Sequence, residues 1–193
     1  MDVIIVAGGE GRRMGGVDKA SLKLNGMRFI DHLLHDLASI THKSVIVVTP
    51  RKDLELGENV LRCSEEPPLG GPVAGIDAAM KLCSADYVAI IAVDAPYSAR
   101  ALAPLTEKLL QNPQASAAAI DSEGFLQPLC AVWKRVDLLQ AIRSVAAAAG
   151  GSVRDQSVRA VLRSAPGEVL PVPAMGVEQD VDTPADLDAI QRP

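Results

Sequence analysis

Aromatic side chains are scarce in this chain, with one Trp, two Tyr and two Phe among 193 residues. A core so poor in aromatics must be filled by Ala, Val, Leu and Ile, and hydrophobic residues do reach 48%. That balance suits an α/β protein, in which buried parallel strands take β-branched residues and helices take Ala and Leu. Cysteine is also sparse: Cys63, Cys83 and Cys130 stand far apart, odd in number and without a CxxC pair. Neither a disulfide framework nor a thiolate zinc site is signalled, and reduced thiols in a cytoplasmic protein are the expectation. There is no basic run, and the net charge is −5. Binding to nucleic acid or to an anionic membrane through bulk electrostatics is therefore not expected. Long apolar runs are missing too. Nothing approaches the ~18 residues of a membrane span, and the apolar start from Val3 to Ala7 meets Gly8 and Gly9 too soon for a signal peptide.

What the chain does contain is an alternation of strand and helix signals. Val3 to Val6 reads as a buried strand running into a glycine-rich loop that extends to Lys19. Ile30, Leu33, Leu34, Leu37 and Ile40 fall at helical spacing. Val45 to Val48 and Val60 to Arg62 read as strands, and Pro72 opens a helix whose apolar face carries Val73, Ile76, Ala79 and Met80. The most apolar strand, Tyr87 to Val93, delivers Asp94 at its carboxyl end. A helix at Leu102 to Leu110, strands at Ala115 to Ile120 and Pro128 to Trp133, and a helix at Leu138 to Ala148 follow. Thr183, Pro184 and Asp186 cap a last helix. The spacing predicts a single domain over residues 1–193, an open, mostly parallel sheet with helices on both faces. Ligands of such sheets bind beyond the carboxyl ends of the strands, which places the loops at 8–19, 63–71 and 94–97 on one rim.

Chemistry concentrates in the run Ala7-Gly8-Gly9-Glu10-Gly11-Arg12-Arg13-Met14-Gly15-Gly16-Val17-Asp18-Lys19. Glycines let backbone N–H groups approach an anion, and Arg12, Arg13 and Lys19 add local positive charge to an acidic chain. The loop is far longer than the ~2–6 residues of a plain strand-to-helix link. A triphosphate site accounts for it better than a solvated turn. It is not a P-loop, because Asp18 precedes Lys19 and Ala20 follows it. It is not a dinucleotide fingerprint either, since Met14 takes the third glycine place.

The same run, continued by Leu22-Lys23-Leu24-Asn25-Gly26, resembles the nucleotide loop of the molybdenum cofactor guanylyltransferases, a branch of the sugar-nucleotidyltransferase-like family. The resemblance extends in order through Pro67-Pro68-Leu69-Gly70-Gly71-Pro72-Val73-Ala74-Gly75, Val93-Asp94-Ala95-Pro96, Gln127-Pro128-Leu129 and the stretch from Asp180 to Leu187. It implies the Rossmann-like nucleotide-diphospho-sugar transferase fold. It also implies transfer of GMP from GTP to the phosphate of molybdopterin, with release of pyrophosphate and dependence on Mg²⁺. On the matching positions, Ala7, Gly8, Gly9, Gly11, Arg13, Met14, Gly15, Lys19, Glu65 and Gly71 would bind the nucleotide. Arg13, Lys19 and Asp94 would be catalytic, and Asp94 and Asp182 would hold the metal. Transient contact with proteins that deliver or accept the cofactor is implied as well.

Simpler roles stand beside these. Asp94 could cap a helix starting near Ser98, Asp182 could serve the last helix's N-terminus, and Glu65 or Glu66 could belong to a solvated turn where relatives usually carry aspartate. Ala95, Pro50 and Gln127 also depart from the usual threonine, asparagine and histidine, which bears on base and acceptor recognition rather than on phosphate chemistry. His32 and His35 lie one helical turn apart without a third ligand nearby and read as a helix face, and Trp133 reads as core. The competing functions are a cytidylyltransferase on the same cofactor, a transferase acting on a sugar phosphate, and a non-catalytic nucleotide-binding regulator. The Asp18-Lys19 pair disfavours the first, the Arg-Met-Gly order and short chain the second, and the presence of Lys19 and Asp94 the third.

Overall fold

In the computed structural model, residues 1–9 and 18–191 are described. In chain order the strands are β1 (Asp2–Val6), β2 (Lys23–Leu24), β3 (Met27–Arg28), β4 (Ser44–Val48), β5 (Val60–Cys63), β6 (Tyr87–Ala92), β7 (Ala117–Ser122), β8 (Phe125–Lys134) and β9 (Val169–Pro173). The helices are α1 (Phe29–Leu37), α2 (Pro72–Met80), α3 (Leu102–Leu110), α4 (Arg135–Ala148), α5 (Val158–Arg163) and α6 (Pro184–Gln191). Among the described residues, seven strands form one sheet in the order β5-β4-β1-β6-β8-β7-β9, and β2 pairs with β3 in a separate small hairpin. β1 pairs in parallel with β4 and β6, while β8 runs antiparallel to both β6 and β7. The sheet is mostly parallel, as the alternating pattern predicts.

Period-2 alternation divides the buried strand residues between two faces. Val3, Ile5, Val45, Val47, Ala89 and Ile91 pack beneath α1 and α3. Ile4, Ile46, Val48, Val88 and Ile90 pack on the opposite face with side chains of α2, α4 and α5. Trp133 belongs to this second core and is 1% exposed. No helix among the described residues is long and apolar enough to cross a membrane.

One departure from the sequence expectation and two elements it did not include have local explanations. The strand expected at Ala115 to Ile120 runs instead from Ala117 to Ser122 and turns directly into β8 through Glu123 and Gly124, at φ 53° and 82°. Two consecutive left-handed residues make the two-residue hairpin turn that matches strand twist. β9 carries Pro171 and Pro173, which argue against a strand, yet it lies at the sheet edge, where proline is tolerated. α5 has only six residues and is capped by the preceding Ser157, whose side chain accepts a hydrogen bond from the Ala160 N–H.

Candidate active site

A cavity of about 470 Å³ opens beyond the carboxyl ends of β1, β4 and β6. Ala7, Gly8 and Gly9 follow directly from β1 and line it. The Ala7 N–H donates to the Val48 carbonyl at 2.9 Å, which continues the β1–β4 ladder to the rim. Gly11, Arg13, Met14 and Gly15, expected at the nucleotide, lie outside the described residues, as does Arg12.

The floor is charged. Lys19 opens a short 3-10 turn capped by Asp18, whose carboxylate accepts from the Ala20 N–H at 3.2 Å and from the Ser21 hydroxyl at 2.7 Å. The turn aims the Lys19 ammonium at Asp94, at 2.9 Å from Oδ2, and at Oδ1 of Asp182. Burial works against the ammonium, but hydrogen bonds to Asp182 and Asp94 and their negative charges outweigh it and hold the Lys19 pKa above the ordinary lysine value.

Backbone geometry brings the two carboxylates together. Asp94 lies two residues beyond β6, and its carbonyl accepts from the Val181 N–H at 2.8 Å, tying the stretch before α6 to the end of the strand. Thr183 and Asp186 form a reciprocal capping box: the Asp186 N–H donates to the Thr183 hydroxyl at 3.2 Å, and Asp186 Oδ2 accepts from Thr183 N–H at 2.8 Å and Asp182 N–H at 3.0 Å. That box fixes the backbone of Asp182. Asp94 does not cap the following turn: the Ser98–Ala101 turn starts after Tyr97 and has no side-chain cap. Asp180 joins the acidic group. Although the residue as a whole is exposed, desolvation of its carboxyl and the charges of Asp94 and Asp182 push its pKa up to about 6, against the pull of Lys19.

The far wall runs from Glu65 to Gly75. Glu65, half-buried, lines the cavity, and its Oε1 accepts from the Gly70 N–H at 2.9 Å; Glu66 is exposed. Glu65 therefore closes the turn while facing the cavity. Gly71, at φ 84°, stands before Pro72 and starts α2 with a conformation that favours glycine. Gly75 has no room for a side chain, because an added Cβ would lie 2.6 Å from Val48 Cγ1. Sequence reasoning did not assign a role to Leu69, which lines the cavity at φ 62° and is 53% exposed. A leucine both left-handed and solvent-facing is unusual enough to mark the position, but φ is not visible in sequence.

His32 has a structural role: Nε2 lies 2.9 Å from the Leu24 carbonyl, and its ring meets Tyr97 edge-on at 5.3 Å. Among the described residues, no group of three or more His, Cys, Asp or Glu side chains is placed to hold a metal. Asp94 and Asp182 nonetheless offer oxygen donors that already converge on one cation. That pair fits Mg²⁺, which commonly takes one or two carboxylates and completes its shell with water and substrate phosphates.

A glycine-lined rim, a half-buried lysine and two carboxylates thus meet at one cavity. Residues 3–169 match the MobA-like NTP transferase domain. This chain belongs to the MobA-like nucleotidyltransferase family. It is 36% identical over 134 residues to a protein named molybdenum cofactor guanylyltransferase from Cereibacter sphaeroides, covering 67% of each chain. The molybdopterin-guanine dinucleotide biosynthesis protein A structure from Archaeoglobus fulgidus superposes with a TM-score of 0.74 at 20% identity, over 99% of this chain and 97% of that one. A 2-C-methyl-D-erythritol 4-phosphate cytidylyltransferase from Thermus thermophilus gives 0.72 at 15% identity, over 97% and 96%. At those identities the solved structures establish the shared fold. The MobA-like family assignment comes from the sequence match.

Proposed function

We propose that the cavity binds GTP and Mg²⁺ and transfers GMP to the phosphate of molybdopterin. The observation that carries this reading is Lys19 held between Asp94 and Asp182 at the floor of a cavity rimmed by Gly8 and Gly9. A phosphate oxygen of the acceptor attacks the α-phosphorus in line; the new P–O bond forms as the α–β bridge breaks and pyrophosphate departs. Lys19 offers its ammonium to the phosphate oxygens on which charge builds, and the glycine backbone orients the triphosphate. Arg13 adds a second cation to that group. Asp94 and Asp182 hold Mg²⁺, which when bound neutralises charge on the phosphates. No protein nucleophile is needed, because the acceptor phosphate is already anionic. The close relationship to proteins named guanylyltransferases supports guanine as the base.

The test is to incubate the protein with Mg²⁺, molybdopterin and each of the four nucleoside triphosphates, measuring dinucleotide and pyrophosphate. GTP is expected to exceed CTP in kcat/KM by about 100-fold or more, since a pocket built to hydrogen-bond one base leaves unpaired groups with another. Equal use of both, or preference for CTP, overturns the choice of base. Absence of dinucleotide with every triphosphate overturns the reaction.

A further inference from the structure

Arg154 lies outside every motif that marks the site, in the connection between α4 and α5. Its guanidinium donates to the Pro67 carbonyl from Nη1 at 2.6 Å and to the Pro68 carbonyl from Nη2 at 3.4 Å, across 87 and 86 residues of sequence. Next to it, the Asp155 N–H donates to the Gly70 carbonyl at 2.8 Å. Three carbonyls of the turn that forms the far wall are thus held by one short segment.

The packing is as close as the bonding. A Cβ on Gly70 would lie 2.7 Å from Arg154 Nη1, and one on Gly71 would lie 3.7 Å from the Asp155 backbone. Asp155 and Leu69 are both left-handed, at φ 58° and 62°. Non-glycine residues hold that conformation when their surroundings over-determine it. Gly70 leaves room for the guanidinium, and Arg154 fastens the two loops.

The wall so fastened differs in character from the floor. Of the described side chains lining the cavity, the one cation is Lys19; the wall contributes the Glu65 carboxylate and the apolar Leu69. Phosphates are repelled by a carboxylate and drawn to Lys19. A nucleobase is the part of a nucleotide that suits the wall, because it offers N–H donors to Glu65 and a flat face to Leu69.

We infer that Arg154 is a positioning residue that sets the base-facing wall of the nucleotide cavity from outside it. This rests on the proposal that the cavity holds a nucleoside triphosphate. Arg154 touches backbone, not ligand, so its loss should weaken recognition of the base and spare recognition of the phosphates.

Calorimetric titration without acceptor, in Mg²⁺, separates these contributions with two probes, GTP and inorganic tripolyphosphate. Arg154→Ala is expected to raise the Kd for GTP about tenfold, the scale of a lost charge-assisted hydrogen bond in each of two positions partly offset by water. Its Kd for tripolyphosphate should stay within about twofold of wild type, which a general collapse of the fold would not allow. Arg154→Lys, able to reach one carbonyl at a time, should fall between the two, and thermal melting of both variants checks that they are folded. Unchanged GTP affinity in Arg154→Ala, or equal weakening of both probes, overturns the inference while leaving the proposed reaction standing. Wild-type protein that binds neither probe removes the nucleotide reading itself, and this inference falls with it.

Discussion

Lys19, Asp94 and Asp182 come from three distant stretches of chain and meet on the cavity floor through side-chain charge, whereas the wall from Glu65 to Gly75 is one continuous stretch shaped by its backbone. On the floor the proposed reaction rests on residue type, a cation for phosphates and two carboxylates for a metal. On the wall the course of the backbone places the side chains, and at Gly70 and Gly75 a Cβ would press on Arg154 or Val48. Substitutions should therefore fail in different ways in the two regions. Floor variants should fold and lose turnover. Wall variants should lose stability or affinity first.

The largest effect is expected from Asp94→Asn, which keeps the shape and removes the charge. Its kcat should fall on the order of 10³-fold, about 4 kcal/mol of transition-state stabilisation, with a circular dichroism spectrum like wild type. Asp182→Asn should be milder, since Asp182 is the more exposed of the two carboxylates, 39% against 27% for Asp94.

Lys19→Ala should lower kcat by about 10²-fold or more, the scale of removing one preorganised donor to developing charge. A lysine in a loop would ordinarily be replaced at little cost to stability, but here its side chain is 14% exposed and paired with two carboxylates. Leaving Asp94 and Asp182 to repel each other should cost about 1–2 kcal/mol, less than the loss of a fully buried pair, as urea denaturation can measure. A variant as stable as wild type would show that the pairing contributes nothing to the fold.

Gly75→Ala tests the other side of the comparison. Its new Cβ must displace Val48 from a 2.6 Å contact, so destabilisation of about 1–3 kcal/mol is expected by overpacking, with little loss of kcat in the folded fraction. A catalytic defect without a change in melting temperature would break the distinction between floor and wall.

Asp186→Ala should have the smallest effect, about 1 kcal/mol for a lost helix cap. Because Asp186 also accepts from the Asp182 N–H, the apparent affinity for Mg²⁺ should weaken alongside, which a magnesium titration of turnover will report.

How far the sequence discloses this molecule follows the same division. The buried strands β1, β4 and β6 were legible because continuous apolar runs ending in glycine, proline or aspartate admit few other readings. Asp94 and Lys19 could be singled out as candidates, a carboxylate at a strand end and a lysine in a glycine-rich loop, and both line the cavity. Their direct pairing was not, since it depends on the Asp94–Val181 backbone bond and on the cap that sets Asp182. β8 and β9 were harder, because Glu123-Gly124 is a weak hairpin signal and the prolines of β9 argue against a strand. Arg154 was invisible, as its meaning comes wholly from carbonyls far away in the chain. The glycines at 70 and 75 could be noticed but not explained, for the atoms that exclude a Cβ there belong to Arg154, Ala74 and Val48.

The central claim is that Lys19, Asp94 and Asp182 face the α-phosphate of a triphosphate whose α–β bridge is broken. Phosphorus NMR of the wild-type protein with GTP, Mg²⁺ and molybdopterin tests it most directly, because it reports which bond is cut. The account predicts that pyrophosphate and a dinucleotide resonance grow together in equal amounts, and that neither appears with Asp94→Asn. Orthophosphate and GDP in place of pyrophosphate, or undiminished pyrophosphate from a folded Asp94→Asn protein, would contradict it.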